Sequence, residues 1–193
     1  MVPNMSFFGD FFWKKKPEKS KYLPNKKEPI DISFVKKFVS DGGKFLFCES
    51  EQDLKINFQN ILIENKICNS ELFSYEKSII DVFEISGELL NSKAFVLNCE
   101  FLISDQGSIM VSNYQILDKK INQLPKILII IAKTSDFKND VSDAMSAIKN
   151  KYGKSIPSNI TKIHATNPEK KSNFISYKRT SKELYLLLTD VNK

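Results

Sequence analysis

The sequence predicts an α/β domain, a three-layer sandwich in which helices cover both faces of an open sheet. Short apolar runs of strand length alternate along the chain with longer segments whose apolar residues follow helical spacing. The run Ile127–Ala132 is apolar at every position, which is typical of a central strand covered on both faces. With 193 residues, 41% of them hydrophobic, the chain is long enough to bury a sizeable core.

Helices and strands alternate in the first half of the predicted domain. In order, the elements are a helix capped by Asp31 and stopped by Gly42-Gly43, a strand at Lys44–Cys48, a helix capped by Ser50, a strand at Glu71–Tyr75 and a helix ending at Ser86-Gly87. The first helix is predicted to carry Ile32, Val35, Phe38 and Val39 on its apolar face. Because Lys44–Cys48 is a compact apolar run, that strand is predicted to be buried.

The second half is predicted to be richer in strands. They are Ala94–Leu97, Phe101–Ser104, Ser108–Val111, Ile127–Ala132, Ile160–His164 and Leu184–Thr189, with one helix through Val141, Ala144, Met145 and Ile148. The segment Asp105-Gln106-Gly107 is a turn signal between two of these strands, which indicates a hairpin.

Positive charge is concentrated near the amino terminus. The formal net charge is +6, and residues 1–29 hold seven lysines against three acidic residues. Lysines and three prolines in residues 14–29 predict an extended linker, so the domain is predicted to span residues 30–193, after a basic, aromatic leader at 1–29. Arg179 is the single arginine. Since proteins that read DNA sequence favour arginine, nucleic-acid binding is not expected.

The cysteine pattern indicates a reduced, cytoplasmic protein. Cys48, Cys68 and Cys99 form no CxxC pair, so the chain lacks the four-cysteine ligand set of an iron–sulfur cluster. No apolar run is long enough to span a membrane. No flavin, nicotinamide or nucleoside-triphosphate motif is visible, and no metal and no cofactor are predicted.

The hairpin region carries a family resemblance. The segment Cys99–Val111, which turns at Gly107, resembles the signature of the LUD domain, the lactate-utilisation protein family. The same order of segments continues with Leu124-Pro125, Ile127–Ala132, a helix through Asp140 and Asp143, Tyr152-Gly153 and Ile156-Pro157. Gly42–Leu46 looks like the opening of the domain in bacterial members, and the resemblance covers roughly residues 30–164.

The resemblance implies a fold and a role. The implied fold is the open, Rossmann-like sheet of the ribose-isomerase, glucosamine-phosphate deaminase and CoA-transferase group. The implied role is linked to oxidation of L-lactate to pyruvate, alongside iron–sulfur partner subunits. One segment departs from the family pattern: residues 164–183 lack the family's glycine loop and its Ser-Arg-Thr-Ala-Asp run.

The hairpin turn supplies the first candidate ligand-binding residues. Gly107 permits positive φ, while Gln106 and Ser108 present polar groups, so Asp105, Gln106, Gly107 and Ser108 together are predicted to bind a carboxylate or phosphate. Glu100 joins them, because two carboxylates near one cleft, Glu100 and Asp105, can perform acid–base chemistry. The alternatives are a plain turn and a surface carboxylate.

Basic residues near the carboxyl terminus supply the remaining candidates. Lys178, Arg179 and Lys182 are predicted to replace the missing glycine loop as an anion clamp, the alternative being a solvated connection. His164 ends a predicted strand, where open α/β sheets place ligands, the alternative being a solvated loop histidine. No catalytic residue is assigned from the sequence.

The aromatic leader has two interpretations. Its large apolar residues are Phe7, Phe8, Phe11, Phe12 and Trp13. With the lysines that follow, residues 5–27 resemble an interfacial anchor for an anionic membrane, which would place the protein at the periphery of the inner membrane. The competing interpretation is a segment that docks on the domain or on a partner subunit.

Two functions therefore stay open. The first is an accessory protein of lactate utilisation that binds a partner redox subunit or a small anionic metabolite. The second is a CoA-dependent or sugar-phosphate transferase or isomerase, with Glu100, Asp105 and Lys182 at the carboxyl edge of the sheet. The sequence leaves open whether the chain is an enzyme.

Overall fold

The computed structural model describes residues 28–166 and 182–190. The helices in these ranges are α1 (Ile30–Ser40), α2 (Glu51–Asn65), α3 (Lys77–Phe83), α4 (Asn113–Ile116) and α5 (Val141–Tyr152). The strands are β1 (Lys44–Cys48), β2 (Leu72–Phe73), β3 (Ala94–Asn98), β4 (Phe101–Ile103), β5 (Ser108–Ser112), β6 (Ile127–Lys133), β7 (Phe137–Lys138), β8 (Ile160–His164) and β9 (Glu183–Thr189). The leader and linker, apart from residues 28 and 29, lie outside the described residues.

Five parallel strands form the large sheet, in the order β1-β9-β6-β3-β2. Strand β6 pairs with β3 on one side and with β9 on the other, so the prediction of a central, fully covered strand is confirmed. The other four strands form the small sheet, in the order β7-β4-β5-β8. Its β4–β5 pair is the predicted hairpin, and β5 also pairs with β8 in antiparallel register.

Side chains alternate between the two faces of the large sheet. Along β6, Leu128 and Ile130 point into the core shared with α1 and the small sheet, whereas Ile129 points into the core shared with α2 and α3. Helix α5 covers the far side of the small sheet through Ala144 and Ile148. The α/β class and the three-layer, Rossmann-like arrangement of helices around an open sheet are therefore confirmed. The small sheet is an addition to it.

The buried face of α1 agrees with the predicted one in part, because Phe38 is buried as predicted and Val35 is half-buried against the core. Phe34 and Phe38 are fully buried, while Ile32 and Val39 are about half exposed, at 45% and 50%. The two phenylalanines stack with ring centroids 5.4 Å apart. Phe34 and Phe38 fit helical spacing, and so do Ile32 and Val39. Because the two aromatic rings bury more apolar surface, the helix turns their face inward. Asp31 lies within the first turn of α1, and its N-cap is Pro29.

Two further sequence expectations meet the structure differently. Ser50 does cap α2, where its side chain accepts a hydrogen bond from the Asp53 amide at 3.1 Å. Strand β1, by contrast, is an edge strand with Phe47 47% exposed, so the prediction of a buried strand was wrong there. The sequence pattern alone does not distinguish a buried strand from an edge strand, since an apolar run in an edge strand can also line an exposed groove. Across the described ranges, none of the helices combines the length and hydropathy needed to cross a bilayer.

Candidate functional site

A groove opens at the carboxyl edge of the large sheet, where parallel α/β sheets commonly bind ligands. It encloses about 560 Å³. Its apolar lining consists of Ile30, Ile32 and Val35 of α1, Phe45 and Phe47 of β1, Phe137 of β7 and Leu188 of β9. We call this feature the carboxyl-edge groove. It exists because α1 turns its aromatic face into the core and leaves its aliphatic face toward β1.

The polar residues of the carboxyl-edge groove are largely engaged. Lys36 forms an ion pair with Glu28, and the Thr134 hydroxyl donates to Asp190 Oδ1 at 3.2 Å. Asp31 is the remaining charged residue among the described lining. The groove thus offers a mainly apolar surface, with Ile30, Ile32 and Phe47 all more than one-third exposed.

Glu100 lies in a buried polar cluster just after β3. Its side chain has no exposed surface, and four side chains donate hydrogen bonds to its carboxylate. The donors are Ser112 Oγ at 2.7 Å, Gln115 Nε2 at 2.9 Å, Lys151 Nζ at 2.9 Å and Tyr152 OH at 3.0 Å from both oxygens. We call these five residues the Glu100 cluster. It ties the start of β4 to the end of β5 and to the last turn of α5.

Burial and hydrogen bonding act in opposite directions on Glu100. Burial raises the pKa of the carboxyl, but the bonds from Gln115, Lys151 and Ser112 outweigh it and hold the pKa below its ordinary value. Burial also raises the pKa of the neighbouring Cys99 thiol well above its ordinary value. Glu100 is thus an ionised, fully bonded and inaccessible carboxylate, which suits a structural anchor better than a group that must touch a substrate.

The predicted hairpin turn packs against α1. Gly107 has φ of +59°, and a Cβ placed on it would lie 2.7 Å from the Phe38 amide nitrogen and 2.6 Å from Lys37 Cβ. Lys37 Nζ donates to the Asp105 carbonyl at 2.8 Å, while the Asp105 amide donates to the Asn139 carbonyl at 2.9 Å. The backbone amide of Asp105, which was predicted to help bind an anion, therefore already donates its hydrogen bond to another part of the fold.

Gln106 is also held by neighbours, and Ser108 is buried at the start of β5. Gln106 accepts a hydrogen bond from Lys162 Nζ at 2.7 Å, and its amide donates to the Ile103 carbonyl at 3.4 Å. Ser108 is fully buried, and its hydroxyl has no hydrogen-bond partner among the described residues. Gln106 and Ser108 are thus adjacent in sequence to Gly107 but do not form an open cradle.

The structure does not bring Glu100 and Asp105 together. Glu100 precedes and Asp105 follows the three-residue strand β4, and Glu100 is buried whereas Asp105 lies exposed in the turn. The side chains that bond to the Glu100 carboxylate are Ser112, Gln115, Lys151 and Tyr152, so the two carboxylates share no hydrogen bond. Lys182 precedes β9 and therefore lies at the amino edge of the large sheet, where its Nζ donates to the Leu124 carbonyl. Its expected place at the carboxyl edge was wrong.

Two predicted anion-binding residues, Lys178 and Arg179, lie outside the described residues. His164 ends β8 and pairs with Ser108 in the small sheet. It therefore does not lie at the carboxyl edge of the parallel sheet, where the sequence had placed it. A short apolar run predicts a strand but does not show which sheet the strand joins, and β8 belongs to the small sheet. Within the described residues, no group of three or more His, Cys, Asp or Glu side chains could hold a metal ion.

Sequence reasoning missed the partners of Glu100 and the lining of the groove. One signal was available for the cluster: Ser112 and Gln115 have the spacing of a capping box, and both bonds of that box are present at the start of α4. Lys151 and Tyr152 had no such local signal, because they reach Glu100 from 51 and 52 residues away.

Comparisons with known proteins agree with this architecture. A crystal structure of a DUF162 family protein from Deinococcus radiodurans superposes with a TM-score of 0.58, covering 83% of this chain and 96% of the other. At 12% identity that likeness concerns the fold alone. Among curated proteins, no sequence matches this chain. The family model of the LUD domain matches residues 34–189.

The chain belongs to the LUD domain family. The match extends from α1 to the end of β9, so the segment that departs from the family pattern lies inside the LUD domain. Membership supports a role related to lactate utilisation. The Glu100 cluster lies within the matched range, and so do Phe47 and Leu188 of the carboxyl-edge groove, whereas Ile30, Asp31 and Ile32 of its lining precede that range.

Proposed function

We propose that this protein is an accessory protein of L-lactate oxidation to pyruvate that binds a partner redox subunit through the carboxyl-edge groove. The observation that carries the proposal is the apolar character of the groove. Its largest exposed side chains are Ile32 and Phe47, at 45% and 47%. Contiguous apolar surface of this kind is costly in water and commonly marks a protein–protein contact.

A small anionic metabolite receives less support from the same groove. Anions are recognised by several convergent donors, such as lysine, arginine and free backbone amides. Lys36, the cation among the described lining residues, is already paired with Glu28. We therefore assign the groove to a protein partner, which the family resemblance suggests is an iron–sulfur subunit of lactate oxidation.

Replacing Phe47 by glutamate is expected to weaken binding of the iron–sulfur subunit about thirtyfold, because a charge then faces an apolar contact worth about 2 kcal/mol. The side chain is half exposed on an edge strand, so the melting temperature is expected to change little. Binding is measured by calorimetry with the purified iron–sulfur subunits of the same organism. Ile63→Glu is the matched control, because Ile63 is 74% exposed on α2 and is not among the groove's lining residues. Equal affinity of the Phe47 and Ile63 variants would refute the assignment.

A second cavity favours the rival enzyme function enough to be tested. It encloses about 250 Å³ near the carboxyl end of β3 and is lined in part by Glu51, Lys55, Ser78 and Asn98. The Asn98 side-chain amide donates to both carboxylate oxygens of Glu76 at 2.7 Å, and the Ser78 hydroxyl donates to Glu76 Oε1 at 2.8 Å. Lys55 is therefore the lining group that best suits a phosphate.

If the protein is an accessory subunit, lactate, CoA and sugar phosphates are each expected to leave its melting temperature unchanged. An enzyme that binds one of them at a hundred times its Kd would gain about 2.7 kcal/mol, a shift of several degrees. The measurement is a thermal unfolding series with each compound. A shift that disappears in Lys55→Met and persists in Lys149→Met, a control on α5, would favour the enzyme.

A further inference from the structure

The amino-terminal leader enters the domain at the carboxyl-edge groove. Helix α1 begins at Ile30, and Ile30 is itself part of the groove lining. The residues before α1 therefore reach the fold beside an exposed apolar surface. No other chain is needed to bring them to it.

The leader has the composition that such a surface would accept. Five aromatic residues lie between positions 7 and 13, and seven lysines follow before α1. Aromatic rings bury large apolar areas at a low cost in side-chain entropy, which makes them effective anchors in an apolar groove. The lysines can remain in water while the rings are covered.

The linker is long enough for the leader to fold back. Sixteen residues, 14–29, separate Trp13 from Ile30, and an extended chain of that length reaches about 50 Å. A tether of this kind holds its end at an effective concentration on the order of millimolar. A contact between the aromatic segment and the groove with a Kd below about a millimolar would then be occupied most of the time.

Charges at the groove complement those of the linker. Asp31 lines the groove, and Asp190 bonds to the lining residue Thr134 and is exposed. Both carboxylates lie at the groove, so a leader bound there would bring its lysines near opposite charges. The expected attraction is modest and decreases with salt, so the aromatic contacts dominate.

We propose that residues 7–13 of this chain bind in the carboxyl-edge groove. The inference rests on the proposed function in one respect only, because the partner subunit would compete for the same groove. The docking of the leader is inferred from the groove, the length of the linker and the aromatic composition of the leader alone.

Trp13 gives a direct test, because it is the only tryptophan of the chain. In the full-length protein without partner, its fluorescence is expected at shorter wavelength than in denaturant, with severalfold weaker quenching by acrylamide. The variants Ile32→Glu and Phe47→Glu should shift the emission back to longer wavelength and restore quenching. Ile63→Glu is the matched control and should leave both readouts unchanged. Circular dichroism checks that each variant is folded.

Four outcomes would overturn the proposal. The first is solvent-like emission of Trp13 in the full-length protein. The second is a buried Trp13 that ignores both groove substitutions. The third is emission that moves to shorter wavelength only when anionic phospholipid vesicles are added, which would identify the leader as a membrane anchor. Emission that depends on protein concentration would instead place the leader in the groove of a second copy, and would also contradict docking within one chain.

The same fluorescence separates the two proposals. Titrating the iron–sulfur subunit into the full-length protein should shift Trp13 emission to longer wavelength as the leader is displaced. A docked Trp13 with no binding of the subunit would refute the proposed function and leave leader docking intact. Subunit binding that depends on Phe47 while Trp13 stays exposed throughout would refute leader docking and leave the proposed function intact.

Discussion

Replacing Gly107 by alanine is expected to lower the free energy of unfolding by about 4 kcal/mol. Two costs contribute. A non-glycine residue at φ of +59° is strained by about 1–2 kcal/mol. The added Cβ would also lie 2.7 Å from the Phe38 amide nitrogen, and overpacking against helix backbone costs roughly 1–3 kcal/mol more.

Gly153→Ala is the matched control for this prediction. Gly153 has φ of +55°, but a Cβ added there would meet no atom within 4 Å. The control therefore carries the backbone strain without the collision, and a loss of about 1–2 kcal/mol is expected. Urea denaturation of both variants measures the difference. Equal losses would show that the hairpin does not press on α1 as closely as the geometry indicates.

Replacing Glu100 by glutamine is expected to lower the free energy of unfolding at pH 7 by about 3 kcal/mol. The substitution keeps the size of the side chain but removes the charge that pairs with Lys151. It also replaces one acceptor oxygen by an NH₂ group, which cannot accept hydrogen bonds from the surrounding donors. Glu183→Gln is the matched control, because Glu183 pairs with Lys126 on the surface, where an ion pair contributes about 0–1 kcal/mol.

The loss at Glu100 should depend on pH in a defined direction. The folded protein holds the pKa of this carboxyl below its ordinary value, so the unfolded chain binds the proton more readily. The contribution of Glu100 to stability is then complete above the ordinary carboxyl pKa, and it is lost as the pH falls through the folded value. The stability curves of the wild type and Glu100→Gln should converge in acid. A difference that stays constant down to acid unfolding would contradict the linkage.

The sequence predicted features that depend on local pattern. Strand β6 was recognisable because every residue of Ile127–Ala132 is apolar, and the hairpin because a glycine turn separates two short apolar runs. Both signals lie within a few consecutive residues. The family resemblance was found in this same hairpin, and its match continues to residue 189.

Features that depend on distant residues could not be predicted in this way. Lys151 and Tyr152 bond to Glu100 across more than fifty residues, and no periodicity encodes such a contact. To predict the groove, one would have to know that Phe34, and not Ile32, faces the core, and packing decides between them. Lys182 was misplaced because its side of the sheet follows from strand direction, which a single run such as Leu184–Thr189 does not reveal.

The position of β9 has a consequence for how this protein is made. It is the last strand of the described residues, yet it lies between β1 and β6, and its Tyr185 reaches Lys44 across 141 residues. Until β9 has docked, β1 has no neighbour in the large sheet and the hydrogen-bonding position beside β6 is vacant. Assembly of the large sheet therefore depends on closing a loop over most of the described domain, which slows folding.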